Sequence, residues 1–196
     1  QGGIVSTRRT GSQTDVRAIA LAAGRQHRAG MRRLERYGAF RPGARRDLHA
    51  QFTALCRTCR IARADVEPAL RILDLITPGT SRLSVPERAA EVRRLYRQLR
   101  RSQSHPMILA LAGIAEDSIS RAVEILAGRA GATRPRGGRQ RYAMTVVGED
   151  VAGFMLGYET GQKLTGNSVS ATGLYLGLSG AYHFSRWALD QGLPPF

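Results

Sequence analysis

Hydrophobic residues recur at helical spacing along most of this chain, and arginines occupy the positions between them. Apolar side chains in residues 14–37 fall on one side of a 3.6-residue period, and Gly38 is the expected stop. The same pattern predicts a second helix over residues 45–63 and a third that ends at the TPGTSR turn. We expect Asp65 to cap the third helix and Pro68 to be tolerated in its first turn.

The clearest helix signal lies in SVPERAAEVRRLYRQLRR. Ser84 and Glu87 form an S-x-x-E capping box, and Pro86 falls in the first turn. Apolar residues form a stripe along one side, while five arginines crowd within about 120° on the other side, at 100° per residue. The pattern therefore predicts a helix with one buried face and one basic face.

The rest of the chain is also predicted to be helical. SHPMILALAGIA predicts a central core helix, and DSISRAVEILAG predicts a short helix or a bent continuation of it. Two further helices are expected over about 144–164 and 168–190. YAMTVV and GLYLGL partly alternate as strands do, but the glycines recur at helical spacing and favour helix. The prediction is an all-α, multi-helix bundle of about seven or eight helices.

Composition suggests four segments. Residues 1–13 are expected to be a flexible basic arm, and residues 14–131 a basic helical domain. Residues 132–142 resemble a basic linker or loop, because they are rich in arginine and glycine. Residues 143–196 are predicted to form a glycine-rich C-terminal helical pair that can pack on the first part.

Charge is unevenly distributed between these segments. The 196 residues have a net charge of +15, and Lys163 is the only lysine. Residues 1–141 hold 28 arginines against 11 carboxylates, whereas residues 142–196 hold two cations against four carboxylates. A GC-rich genome also favours arginine codons, but that bias would spread arginines evenly along the chain. A pI near 11.4 favours nucleic acid, an anionic membrane surface or an acidic protein as partner.

Arginine-rich helix faces are the main candidate binding surface, because a guanidinium group grips phosphate with two donors. The helix predicted from SVPERAAEVRRLYRQLRR begins with Ser, Val, Pro and Glu, and its arginines cluster toward its C-terminal end. This order suits contacts to the nucleic-acid backbone better than base recognition. DNA and RNA stay open. The predicted nucleic-acid-binding residues are Arg25, Arg28, Arg32, Arg36, Arg93, Arg94, Arg97, Arg100, Arg101, Arg134, Arg136, Arg139 and Arg141.

Glycines at four-residue spacing are the second feature. One set lies in each of the two predicted C-terminal helices. The glycines of a set make a flat groove on one side of their helix, so another backbone can approach closely. The groove would pack the two C-terminal helices together or bind a partner or second copy; a membrane hairpin is disfavoured by the charged residues in this region. The predicted packing or partner residues are Gly153, Gly157, Gly161, Gly173 and Gly177.

Other candidate chemistry is sparse. Cys56 and Cys59 form one C-x-x-C, which lacks further zinc ligands at the usual spacing, so we expect buried thiols rather than a metal or redox site. No phosphate-binding glycine loop is present. His183 and Glu159 could approach each other in a C-terminal hairpin, and they carry the enzyme alternative. No cofactor, metal or catalytic residue is predicted.

These observations favour a non-enzymatic nucleic-acid-binding subunit of a larger DNA or RNA assembly. The alternative is an interaction or adaptor protein, exported or not, that binds an acidic protein partner through its basic surface. We expect a cytoplasmic location; export is the alternative because the chain starts at Gln1 rather than Met. A membrane partner is not expected.

Overall fold

The computed structural model describes residues 16–18, 20–21, 47–128, 136–166 and 171–190, and all its regular structure is helical. This confirms the predicted all-α, multi-helix fold. Residues 16–18 and 20–21 are helical, and six longer helices follow. These are α1 (Leu48–Thr58), α2 (Arg63–Ile76), α3 (Val85–Arg101), α4 (Pro106–Gly128), α5 (Arg136–Thr165) and α6 (Ala171–Asp190). The predicted arm over residues 1–13 lies outside the described residues.

Successive helices run up and down beside each other. Five contacts between neighbouring or facing helices establish their antiparallel order: His49–Asp74, Arg71–Glu91, Arg93–Glu116, Ser118–Asp150 and the approach of Gly161 to Gly173. Helices α1, α3 and α5 therefore end at the same end of the bundle. Helices α2, α4 and α6 begin there.

One hydrophobic core joins residues from every described helix. Helix α4 lies at its centre, since all nine residues from Met107 to Ala115 are buried. Phe52 of α1, Ile72 of α2 and Phe154 of α5 are also fully buried in this core. The apolar run predicted as a core helix is therefore the core helix, and it continues unbroken through DSISRAVEILAG.

Helix α2 begins differently from the expectation. The helix starts at Arg63 with Ala62 in the N-cap position, and no side chain caps it. The Asp65 carboxylate instead accepts a hydrogen bond from the backbone amide of His105 at 2.8 Å, which ties the start of α2 to the start of α4. Pro68 lies inside the helix, beyond the first turn.

Helix α3 matches its sequence signal. It begins at Val85, immediately after Ser84, and Glu87 accepts hydrogen bonds from the Ser84 amide at 2.7 Å and the Ser84 hydroxyl at 2.6 Å. These bonds hold the pKa of Glu87 below its usual range. Its buried apolar stripe consists of Val85, Ala89, Val92, Leu95 and Leu99.

The C-terminal pair is helical, as expected, but α5 is longer than predicted. It begins at Arg136 rather than near residue 144, so residues 136–142 are helical instead of forming a linker or loop. Glycine and arginine composition suggested a loop here because each glycine weakens a helix by about 1 kcal/mol relative to alanine. Helix continuation through Arg136–Arg141 overrides that local preference.

Candidate nucleic-acid interface

The basic face of α3 is exposed in the structure. Its five predicted arginines all have exposed side chains: Arg93, Arg94, Arg97, Arg100 and Arg101. The face is exposed because the opposite stripe of α3 is buried against the core. A helix of this kind places its charged residues about half a turn from its buried ones.

Two of these arginines are neutralised within the protein. Arg93 donates to the Glu116 carboxylate at 3.1 Å and to the Ser120 hydroxyl at 3.2 Å, both on α4. Arg94 makes a two-pronged contact with Glu91 at 2.7 and 2.8 Å. The hydrogen bond from Arg94, with Arg71 nearby, lowers the pKa of the Glu91 carboxyl. The first half of the basic face is therefore an ion-paired surface.

The second half of the same face retains its charge. Within the described part of the chain, no carboxylate pairs with Arg97, Arg100 or Arg101. The Arg100 guanidinium lies over the Tyr96 ring, 5.7 Å from its centroid, which fixes its position without neutralising it. Three cations therefore gather in the last turn and a half of α3.

Arg17 and Leu21 lie beside this basic segment. Arg17 donates to the backbone carbonyls of Arg100 at 3.4 Å and Ser104 at 3.5 Å, and the Tyr96 hydroxyl donates to the Leu21 carbonyl at 3.4 Å. Arg17 thus satisfies carbonyls where α3 ends, a role that helical periodicity does not reveal. The other predicted arginines of this region, Arg25, Arg28, Arg32 and Arg36, lie outside the described residues.

The segment around residue 136 is the third predicted basic region. Arg136, Arg139 and Arg141 belong to the first turns of α5. Their side chains, together with Arg134, lie outside the described residues. The helix places the three backbone positions at the end of the bundle opposite Arg101, because α3 and α5 both run toward the end where Arg101 lies.

Helices α1 to α4 hold only a small part of the net positive charge. Residues 47–128 contain twelve arginines against nine carboxylates. Residues 1–46 contain eleven arginines against two carboxylates, and residues 129–141 contain five arginines and no carboxylate. Most of the net positive charge of the sequence therefore lies in residues 1–46 and 129–141.

The predicted glycines lie between α5 and α6. A Cβ atom on Gly157 would meet the Leu176 backbone carbonyl, and one on Gly161 would lie 2.5 Å from the Cα of Gly173. A Cβ on Gly177 would lie 2.6 Å from the Phe154 ring. A Cβ on Gly180 would likewise meet the Gly153 carbonyl. The four-residue spacing does not predict Gly180, because it follows Gly177 by three residues. These backbones approach too closely for any side chain.

The two cysteines are buried, unlinked thiols on the core side of α1. Burial, reinforced by the neighbouring Cys59 thiol, raises the pKa of Cys56 to about 12. Burial also raises the pKa of Cys59, and the Gln162 side-chain amide donates to its sulfur at 2.9 Å. A raised pKa keeps these thiols protonated at neutral pH, and the protonated thiol is a poor nucleophile. The described residues contain no cluster of three or more His, Cys, Asp or Glu side chains suited to a metal.

The residues of the enzyme alternative have other contacts. Glu159 pairs with Lys163 one turn later on α5 at 2.7 Å. The His183 ring packs edge-on against Tyr182, with ring centroids 5.7 Å apart. Glu159 therefore has an ion-pair partner on its own helix, and the enzyme alternative stays a prediction.

Comparisons with known proteins do not add a family. The chain matches no protein-family model, and neither the curated proteins nor the solved structures contain a significant match to it. Among the described helices, none combines the length and apolar character that a membrane crossing requires.

Proposed function

We propose that this chain is a non-enzymatic nucleic-acid-binding protein that acts mainly through arginine–phosphate contacts, as a subunit of a larger DNA or RNA assembly. The observation that carries the proposal is the cluster formed by Arg97, Arg100 and Arg101. These side chains are exposed on one helix and have no carboxylate partner within the described residues.

Close like charges destabilise a helix surface unless an anion compensates them. Arg93 and Arg94 show that the fold can supply carboxylates on the same helix, since Glu116 and Glu91 neutralise them. The last turns of α3 have no such compensation from described carboxylates. Phosphate suits this arrangement, because each guanidinium presents paired donors and several neutralised phosphates release several counterions.

The contacts favour the backbone of nucleic acid over its bases. Arg97, Arg100 and Arg101 lie at the C-terminal end of α3, whereas recognition helices usually present their N-terminal residues to base edges. Backbone contact positions a protein without conferring sequence preference. A basic subunit of a larger assembly requires no more than this.

The test is a salt titration of binding to labelled duplex and single-stranded oligonucleotides. We expect the intact chain to bind at low salt, and affinity to fall linearly on logarithmic axes as salt rises. Replacing Arg97, Arg100 and Arg101 with Gln should lower the magnitude of the slope by about 2–3 for duplex and reduce affinity at least about tenfold.

A matched variant removes the same charge elsewhere, by Gln at Arg71, Arg82 and Arg121. It should change affinity by less than about threefold, since distant exposed charges are screened. Binding that is absent at low salt or indifferent to salt would contradict the proposal. Equal effects of the two triple variants would indicate a response to net charge rather than to this cluster.

The acidic-partner alternative gives a different result in the same assay. An adaptor for an acidic protein would show weak oligonucleotide binding and tighter, equally salt-dependent binding to a polyglutamate competitor. The two competitors are compared at equal charge, as phosphate concentration for the oligonucleotide and carboxylate concentration for polyglutamate. Displacement by the oligonucleotide at the lower concentration would favour nucleic acid.

A further inference from the structure

Two helices of this protein end in an unusual way at the same end of the bundle. Helix α1 is followed by Arg60 with φ of 52°, and α3 is followed by Gln103 with φ of 54°. Both residues adopt the left-handed conformation, which glycine tolerates and other residues seldom adopt. The geometry of each helix end explains why this conformation is required.

Both helices end in a Schellman motif. After α1, the amide of Ile61 donates to the Cys56 carbonyl at 3.0 Å and the amide of Arg60 to the Arg57 carbonyl at 3.1 Å. After α3, the amide of Ser104 donates to the Leu99 carbonyl at 3.4 Å. This motif places the residue after the C-cap in the left-handed region, and that residue is usually glycine.

Two other described positions with a left-handed backbone are occupied by glycine. Helix α5 ends at this end of the bundle with Gly166, which has φ of 64°, and Gly79 has φ of 87° in the turn after α2. The chain contains 22 glycines in total. Arg60 and Gln103 therefore stand at positions where glycine would be the less strained residue.

The hydrogen bonds that close these helix ends offset part of the strain, but the side chains of Arg60 and Gln103 take no part in them. The side chains of Arg60 and Gln103 are exposed, and no described residue forms a hydrogen bond or ion pair with either of them. Strained backbone without an internal partner is a feature of ligand-contacting positions. An external ligand would give these two exposed side chains the contact that the described residues do not provide.

The ends of α1 and α3 are linked by a contact between the helices that follow them. Asp65 binds the amide of His105 at 2.8 Å, which holds the start of α2 against the start of α4. Arg60 precedes that contact by five residues, and Gln103 precedes it by two. Arg57 on α1 and Arg100 and Arg101 on α3 are exposed in the adjoining last turns.

We propose that this end of the bundle, formed by Arg57, Arg60, Arg100, Arg101 and Gln103, is the face that contacts the nucleic-acid backbone, and that Arg60 and Gln103 are contact residues. The inference rests on the proposed function and extends it. The phosphate backbone lies across the helix ends rather than along the side of α3. Arg60 supplies a charge there, and the Gln103 amide donates to a phosphate or sugar oxygen.

The test separates strain from binding. Glycine at position 60 or 103 should raise Tm by about 2–4 °C, because the left-handed strain is relieved. The same variants should weaken binding to a labelled oligonucleotide, by about tenfold for Arg60→Gly and about threefold for Gln103→Gly. The salt slope should fall by about one for Arg60→Gly and stay unchanged for Gln103→Gly.

Three further variants exclude simpler explanations. Arg60→Lys keeps the charge and should retain most of the affinity, whereas Arg60→Gln should weaken binding as Arg60→Gly does. Arg82→Gln removes one charge from the exposed turn at the opposite end and should change affinity by less than about twofold.

Unchanged affinity in both glycine variants would overturn the inference while leaving the proposed function intact. A fall in Tm would also overturn it, because the side chains would then be structural. Absence of oligonucleotide binding by the unmodified chain would remove the proposed function and this inference together. Loss of binding only to anionic phospholipid vesicles in the variants would assign the same face to a lipid surface and overturn the nucleic-acid assignment.

Discussion

Arginines in the described helices have distinct environments at the scale of single residues. Arg93 and Arg94 are paired with carboxylates, while Arg97 and Arg101 face solvent. Arg88 is buried and stabilises the fold through hydrogen bonds to the backbone. Its guanidinium donates to the carbonyls of Leu83 at 2.9 Å, Leu75 at 3.1 Å and Thr77 at 3.2 Å, and also to that of Ser81.

Arg88 therefore closes the turn between α2 and α3. Burial lowers the pKa of its guanidinium, yet that group remains protonated because its normal value is so high. Replacing it with Met would fill similar volume but leave several carbonyls without a donor. The structure accounts for one arginine of α3 without any ligand.

We expect Arg88→Met to lower the free energy of unfolding by about 3 kcal/mol, because hydrogen bonds from a charged donor to buried carbonyls are lost. Urea denaturation followed by circular dichroism measures this. Arg82→Met, in the neighbouring exposed turn, is the control and should change stability by less than about 0.5 kcal/mol. Equal effects would show that the turn does not depend on Arg88.

At the scale of helices, the α5–α6 pair depends on backbone contact. Gly157 faces Leu176, Gly161 faces Gly173, and Gly153 faces Gly180. Each glycine lowers helix propensity, so the packing between the two helices must offset that loss. The close approach is possible only because both helices present glycine at matching heights.

Gly157→Ala should therefore destabilise the protein by about 2–3 kcal/mol, because a methyl group would collide with the Leu176 backbone and push the helices apart. Gly148→Ala on the same helix is a matched control. Its Cβ would lie 3.9 Å from the Leu48 side chain, which is ordinary contact, and it should stabilise by about 0.5–1 kcal/mol through helix propensity. Thermal denaturation of both variants decides whether the approach of the backbones or the loss of glycine itself matters.

Sequence spacing predicts only part of the contact between α5 and α6. Spacing indicated that Gly153, Gly157 and Gly161 share a face, because helical geometry is local. The spacing did not predict Gly180, because its close contact is with Gly153 on another helix, more than twenty residues away in the sequence. Likewise, the arginines and glycines before residue 142 suggested a loop, whereas the structure continues α5 back to Arg136.

At the scale of the whole molecule, charge is concentrated outside the described core. Residues 47–128 hold twelve arginines against nine carboxylates, whereas residues 129–141 hold five arginines with no carboxylate. Arg136, Arg139 and Arg141 begin α5 at the end of the bundle opposite Arg101. Because charges are screened over about 8 Å at physiological salt, a nucleic acid would have to reach both ends to interact with both groups of arginines.

Replacing Arg134, Arg136, Arg139 and Arg141 with Gln tests whether this basic segment adds phosphate contacts. If each arginine contacts one phosphate, the magnitude of the salt slope for duplex should fall by about 3–4. Salt titrations of the four-fold variant and of the unmodified chain measure the difference. An unchanged slope would restrict the contacts to other arginines, and the Arg97, Arg100 and Arg101 variant provides the comparison.

The sequence by itself determined the all-α class, the start and exposed basic face of α3 and the uneven charge, because helical periodicity, capping and composition are local properties. Ser84 and Glu87 marked the start of α3 within a residue. Only the tertiary structure decided which arginines are neutralised, since Glu116 and Ser120 reach Arg93 from another helix. It also decided that Asp65 binds His105 instead of capping α2, and that Arg60 and Gln103 are strained at one common end. These properties depend on where separate helices end relative to one another, which is set by packing around α4.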